Sequence, residues 1–159
     1  MLKILVPLDG SECGEAALPS VAEMAASYKA QGGVEVVLLQ VITQLNHWSP
    51  QNASEILYIL YSPEEMDRIR QHSQRYLEQA AAHLREKGIT VSTKVCTGNA
   101  AEQIINTCKE CGANLIAMST HGRSGISRWA MGSVTDKVLR EGSIPTLVVR
   151  PKEAHSTRT

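Results

Sequence analysis

Residues 2–11, LKILVPLDGS, hold the reading on which the fold turns. From Leu2 to Leu8 the chain is apolar except at Lys3 and Pro7. A strand with one wet face alternates apolar and polar residues. A strand covered on both faces reads as a nearly continuous apolar run, as in parallel sheets packed between helices. This run stops at Asp9-Gly10-Ser11, a turn signal with a helix cap at Ser11. Ala17, Val21, Met24 or Ala25, and Tyr28 then recur at helical spacing. Pro19 lies inside that pattern and is expected to bend the helix or loosen one turn. Gly32 and Gly33 end it.

Downstream the same alternation of elements repeats. Residues 34–42, VEVVLLQVI, are β-branched and apolar and predict a second buried strand. Ser62-Pro63-Glu64-Glu65 is a capping box with proline at the first helical position. Its helix places Met66, Ile69, Ser73, Leu77, Ala80, Ala81 and Leu84 on one face and closes at Lys87-Gly88. Residues 89–96, ITVSTKVC, alternate as an edge strand does. Asn99 with Glu102 opens a third helix, with Ile104, Ile105 and Cys108 inward and Gly112 at its end. Residues 114–118 form a short buried strand. Val134, Val138 and Leu139 mark a last helix closed by Gly142, and residues 144–150, IPTLVVR, form the last strand. Strands alternating with helices imply an open parallel sheet with helices on both faces and right-handed crossovers. One domain spans 1–151. A variable insertion at 43–62 reads as a lid, a partner surface or a short extra helix, and its apolar run at 56–61 reads as packing on the protein's own helices. Residues 152–159 are a polar tail.

Composition narrows the function classes. Sixteen basic residues balance sixteen acidic ones in 159 residues. No general positive field is available to hold nucleic acid or an anionic membrane surface. No apolar run approaches the ~18 residues of a membrane span, and the N-terminus turns acidic too early for a signal peptide, so the protein is expected in the cytoplasm. Cys13, Cys96, Cys108 and Cys111 do not make a disulfide framework. Cys108-Lys109-Glu110-Cys111 has redox spacing, but it falls late in a helix, where the dipole opposes a thiolate. Cys108 therefore reads as a buried apolar residue.

Residues 119–133, STHGRSGISRWAMGS, carry the chemistry. Gly122 and Gly132 have nine residues between them, and Ser133 follows at once. Glycine turns let several backbone N–H groups approach one phosphate, and a helix start adds partial positive charge. Ser119, Thr120, Arg123 and Ser124 suit an anion, and His121 lies in the same loop. Trp129 and Met131 are expected to anchor it to the core. Neither GxxxxGK[ST] nor a GxGxxG after the first strand is present. If the first and fourth strands are neighbours where strand order reverses, Asp9 and this loop meet over one crevice.

Gly122, nine residues, Gly132-Ser133, together with the turn Pro7-Leu8-Asp9-Gly10-Ser11 and the ending Ile144-Pro145-Thr146-Leu147-Val148-Val149, resembles the universal stress protein family in its nucleotide-binding branch. The resemblance implies an α/β, Rossmann-like three-layer sandwich of the adenine nucleotide alpha hydrolase-like type. Its five-stranded parallel sheet would have the order 3-2-1-4-5. It implies ATP with Mg2+ as ligand. Asp9 would meet the ribose or a phosphate-bound metal, and Val41 would hold adenine through its backbone. Gly122, Gly132 and Ser133 would bind phosphates, with a backbone N–H from Val134. Pro7, Leu8, Met118, Ser119, Thr120, His121 and Arg123 complete the expected site. The family's first motif glycine is matched here by Ser119, which either crowds the ligand or gives it one more hydrogen bond. A homodimer through Pro145, Thr146, Leu147, Val148 and Val149 is also implied, on an edge strand suited to pairing. Three functions stay open: a nucleotide-binding regulatory or stress-response protein, a slow ATPase or phosphotransferase using Asp9 and metal, and an interaction module without nucleotide.

Overall fold

The computed structural model describes residues 1–28, 30, 32–43, 46–47, 57–58, 62–120 and 131–151. The expected apolar run is β1, Leu2–Leu8. It is followed by a 3-10 turn, Gly14–Ala17, and by helix α1, Leu18–Tyr28. The single helix expected from Ser11 is thus two pieces, and Pro19 explains the join. An α-helix would give the Glu15 carbonyl the N–H of residue 19, which proline lacks. The Leu18 N–H takes that carbonyl instead, one residue early. The N-cap of the 3-10 turn is Cys13, not the expected Ser11, although Ser11 Oγ accepts from the Gly14 N–H at 3.0 Å. Val21, Ala22 and Ala25 are buried, whereas Tyr28, expected inside, is 39% exposed at the helix end.

Strand β2 is Val34–Ile42, as expected. Within the insertion, β3 (Asn46–His47) and β4 (Leu57–Tyr58) pair antiparallel; the apolar run expected to pack at 56–61 otherwise lies outside the described residues. Helix α2, Pro63–Arg85, has the complete capping box: Ser62 Oγ accepts from the Glu65 N–H, and Glu65 accepts from the Ser62 N–H. Ser73, Leu77, Ala81 and Leu84 are buried, while Met66, Ile69 and Ala80 are half-buried. Strand β5 is Thr90–Thr97 and lies at the sheet's edge. In helix α3, Ala100–Cys111, the Asn99 side chain accepts from the Glu102 N–H, and Gly112 leaves the helix at φ 66°, a left-handed exit that suits glycine. Thr107, unexpected, is buried beside Ile104 and Cys108; Ile105, one step round, is only half-buried.

Strand β6 is Leu115–Ser119, one residue later than expected, so Ser119 ends a strand and does not begin a loop. Helix α4 is Ser133–Glu141. It buries Thr135 and Val138, and Leu139, 100° round the helix from Val138, is 41% exposed. Met131 is 44% exposed and does not anchor the loop as expected; Trp129 lies outside the described residues. Strand β7 is Thr146–Val149, shorter than the 144–150 expected.

The five long strands are parallel in the order β5-β2-β1-β6-β7, which is 3-2-1-4-5 among themselves. Alternate side chains feed two cores. Ile4, Val6, Val36 and Leu38 meet α1 and α2 residues on one face, and Leu5, Val37, Leu39 and Ile116 meet α3 and α4 residues on the other. Cys108 is 1% exposed, and burial pushes its thiol up to about 11, with Cys111 adding to the shift. All four cysteines are free thiols. Among the described residues, no helix is long and apolar enough to cross a membrane.

Two outcomes check this account. Ser62→Ala, which removes one arm of the capping box, is expected to cost about 1 kcal/mol in urea unfolding. Native Cys108 is expected to resist alkylation at pH 8 and to react once the chain is unfolded. Because its folded pKa is raised above the unfolded value, its contribution to stability is present below about pH 9 and is lost as pH rises towards 11. Replacing Cys108 with valine should flatten that part of the pH profile.

Candidate functional site

Strand β1 runs to Leu8 and β6 to Ser119, but they pair only at Ile4 with Leu115 and Leu5 with Ile116. Beyond that the two strands are not paired, and a cleft of about 530 Å3 opens at their carboxyl ends. This is where strand order reverses, the usual ligand position in open α/β sheets. Of the residues expected at the site, Pro7, Leu8, Asp9, Val41, Met118, Ser119, Gly132, Ser133 and Val134 line it. Thr120 does not: its N–H donates to the Val149 carbonyl and its carbonyl accepts from the Gly132 N–H at 2.8 Å. It closes the base of the loop. His121, Gly122 and Arg123 lie outside the described residues.

On the β1 side, Asp9 Oδ1 accepts from the Ser11 N–H at 3.0 Å and from Ser11 Oγ–H at 2.6 Å. Gly14 lies against the same carboxylate. A Cβ built there would overlap Asp9 Oδ1, so a larger residue would oblige that carboxylate to shift. The turn is also held from outside, because Tyr76 of α2 donates to Glu15 Oε1 at 2.8 Å. Burial, then the Glu15 carboxylate, pushes the Tyr76 phenol up, so it stays a donor at neutral pH.

On the β6 side, α4 begins with Gly132 as N-cap and has no side-chain cap. Its first α-helical bond runs from the Asp136 N–H to the Gly132 carbonyl. The Ser133, Val134 and Thr135 N–H groups therefore fall in the first turn, where no intrahelical acceptor exists. That end has partial positive charge and suits an anion. Thr135 fixes it: its Oγ–H donates to the Ser119 carbonyl at 2.9 Å, both residues being buried.

The third wall is the end of β2. The Ile42 carbonyl accepts from the Gly98 N–H at 3.0 Å, on the β5 side. Successive residues of a strand address opposite neighbours. The Val41 N–H and carbonyl accordingly face the β1 side, level with the end of β1. Gln40 also lines the cleft, with Ile69, His72 and Ser73 of α2. Gln40 is 7% exposed, and its Oε1 has no hydrogen-bond partner among the described residues. Leaving such an atom unpaired costs about 1–3 kcal/mol. Sequence reasoning passed over Gln40, Gly14 and Thr135. For Gln40 a signal existed, since it is the polar interruption in VEVVLLQVI after Glu35.

Asp9 is the only acidic side chain among the described lining residues, and no cluster of three metal-binding side chains occurs among the described residues. Mg2+ fits here only in company with ligand oxygens, since one carboxylate plus phosphates is a common Mg2+ environment.

Fold and cleft together define a Rossmann-like α/β protein with its cavity at the topological switch point. The sequence profile described as the Universal stress protein family matches residues 1–150, and the chain belongs to that family. It is 29% identical over 153 residues to universal stress protein YxiE of Bacillus subtilis, covering 93% of this chain and 98% of the relative. It is 27% identical to universal stress protein MJ0577 of Methanocaldococcus jannaschii over 160 residues, 96% of each. The solved structure of MJ0577 superposes with TM-score 0.77 over 96% of this chain and 98% of that one. Two more distant structures share the fold: a universal stress protein in complex with cAMP (TM-score 0.63, 18% identity, covering 95% and 98%), and an Arabidopsis thaliana family protein with AMP bound (TM-score 0.64, 17% identity, covering 99% and 97%).

Gly14→Ala is expected to drive the Asp9 turn outwards and to lower stability by about 1–3 kcal/mol, the usual cost of overfilling a packed site. Urea unfolding measures it. An unchanged midpoint would mean that the carboxylate moves aside freely.

Proposed function

We propose that this protein binds an adenine nucleotide in the cleft between β1 and β6, with ATP and Mg2+ as the expected form. Occupancy would alter its shape or its partners in a stress-response or regulatory role. One observation carries the reading: a helix N-terminus without a side-chain cap and an ordered Asp9 turn face one cleft at the switch point. The AMP and cAMP bound by two proteins of this fold support it. In this reading Gly132, Ser133 and the Val134 N–H take phosphate. Asp9 meets the ribose or a phosphate-bound Mg2+, and the Val41 backbone meets adenine. Pro7, Leu8, Met118 and Ser119 form the walls, and Thr120 acts through its backbone by holding Gly132. The reading extends to His121, Gly122 and Arg123.

The Ser119 side chain bears on this proposal directly. It is 5% exposed and lines the cleft, at the position of the family motif's first glycine. Its carbonyl is already committed to Thr135, so a ligand there meets a fixed backbone and a small hydroxyl side chain.

ATP with Mg2+ at a hundred times its Kd is expected to stabilise the protein by about 2.7 kcal/mol, read as a rise in Tm. The supernatant of heat-denatured purified protein should contain adenine nucleotide. Gly132→Val, which sets a branched side chain over the first turn of α4, should abolish the Tm rise. No bound nucleotide and no shift in the native protein would overturn the proposal.

Self-association belongs to the same reading. Strand β7 is a sheet edge with Thr146 to Val149 half-buried, and it suits pairing with a second copy. Light scattering at micromolar concentration is expected to give twice the chain mass, and a monomer mass would contradict it.

A further inference from the structure

Gln40 interrupts a buried, apolar part of β2. Val36, Val37, Leu38 and Leu39 before it are all buried. By strand alternation its side chain shares the face of Val36 and Leu38, which is covered by α1 and α2. It stands in register between Leu8 of β1 and Val95 of β5. Both neighbours are apolar, and leucine would satisfy the packing there. Yet this position holds a carboxamide whose oxygen has no partner among the described residues, in the wall of the cleft. An unpaired buried acceptor in a ligand-sized cavity points to a donor on the ligand.

We infer that Gln40 sets the base preference of the cleft, its carboxamide pairing with the 6-amino group and N7 of adenine. The inference rests on the nucleotide reading above. A carboxamide offers one acceptor and two N–H donors side by side, and this pattern matches the adenine edge, where an amino donor adjoins a ring acceptor. Hypoxanthine and guanine place an oxo acceptor where adenine has its amino group. The residue after Gln40, Val41, turns its backbone polar groups to the β1 side, and both residues line the cleft. Gln40 is then a specificity residue: phosphate contacts hold the ligand, and Gln40 chooses among bases.

The test uses the full chain and three probes: ATP, ITP and purine riboside triphosphate, which lacks any 6-substituent. Isothermal titration of the wild-type protein should favour ATP over both others by at least about fivefold, the low end of a bidentate amide–adenine pair. In Gln40→Leu the ATP preference should shrink by about fivefold, by loss of ATP affinity, leaving only what the Val41 backbone reads. The Tm of the unliganded variant should stay at or above that of wild type, because leucine removes an unpaired polar atom. Gln40→Met provides the same comparison if leucine packs badly, and the wild-type preference is readable without any variant. If wild type binds ATP and ITP equally, or the variants keep the full preference, this inference alone fails. If wild type binds none of the three, the nucleotide reading fails and takes the inference with it.

Discussion

The unpairing of β1 from β6 is the constraint on which the rest of the molecule depends. Two residue pairs join these strands, while β1 is paired to β2 along its whole length and β6 to β7 from Ile116 to Ser119. Each half of the sheet is therefore well knit, and the seam between them is open at the carboxyl end. Reversal of strand order forces this. Helix α1, which follows β1, packs on one face, and α4, which follows β6, packs on the other. The cavity is a product of topology before any side chain is chosen.

What side chains do is keep the two banks at fixed positions. On one bank Ser11, Gly14 and the Tyr76–Glu15 hydrogen bond hold the Asp9 turn. On the other, Thr135 ties the first turn of α4 to the Ser119 carbonyl, and Thr120 is tied to both Val149 and Gly132. These are short polar links between buried or half-buried groups, where an unmade bond is costly. With formal net charge zero, the protein supplies no long-range field to its cleft. Attraction for an anion has to come from local groups, and the start of α4 is placed to give part of it.

Much of this was legible in the residues. The doubly covered strand at Leu2–Leu8, the capping box at Ser62 and the glycine exit at Gly112 are local signals, and each element formed where its signal lay. Strand order was not a local property and came from family likeness. Where reading failed, the cause was a competing interaction. Pro19 withheld an N–H and converted one helix into a 3-10 turn plus a shorter helix. Leu139 and Tyr28 fitted a helical period but sat just off the buried stripe. In the site, Asp9, Val41, Gly132 and Ser133 all line the cleft; the strand-end turn and the motif spacing pointed to Asp9, Gly132 and Ser133, and family likeness to Val41. Gly14 was missed because its contact is with a carboxylate five residues earlier, which only the folded turn brings near. Gln40 was missed because a polar residue inside an apolar strand was absorbed into the strand's average.

The hydrogen bond from the Gly132 N–H to the Thr120 carbonyl has a consequence for how such a protein can change. It joins the two ends of the segment that carries the glycine motif, below everything that segment does. Closure entropy grows only slowly with the length of chain so enclosed. Lengthening the chain between Thr120 and Gly132 would therefore add little to the cost of bringing those two residues together.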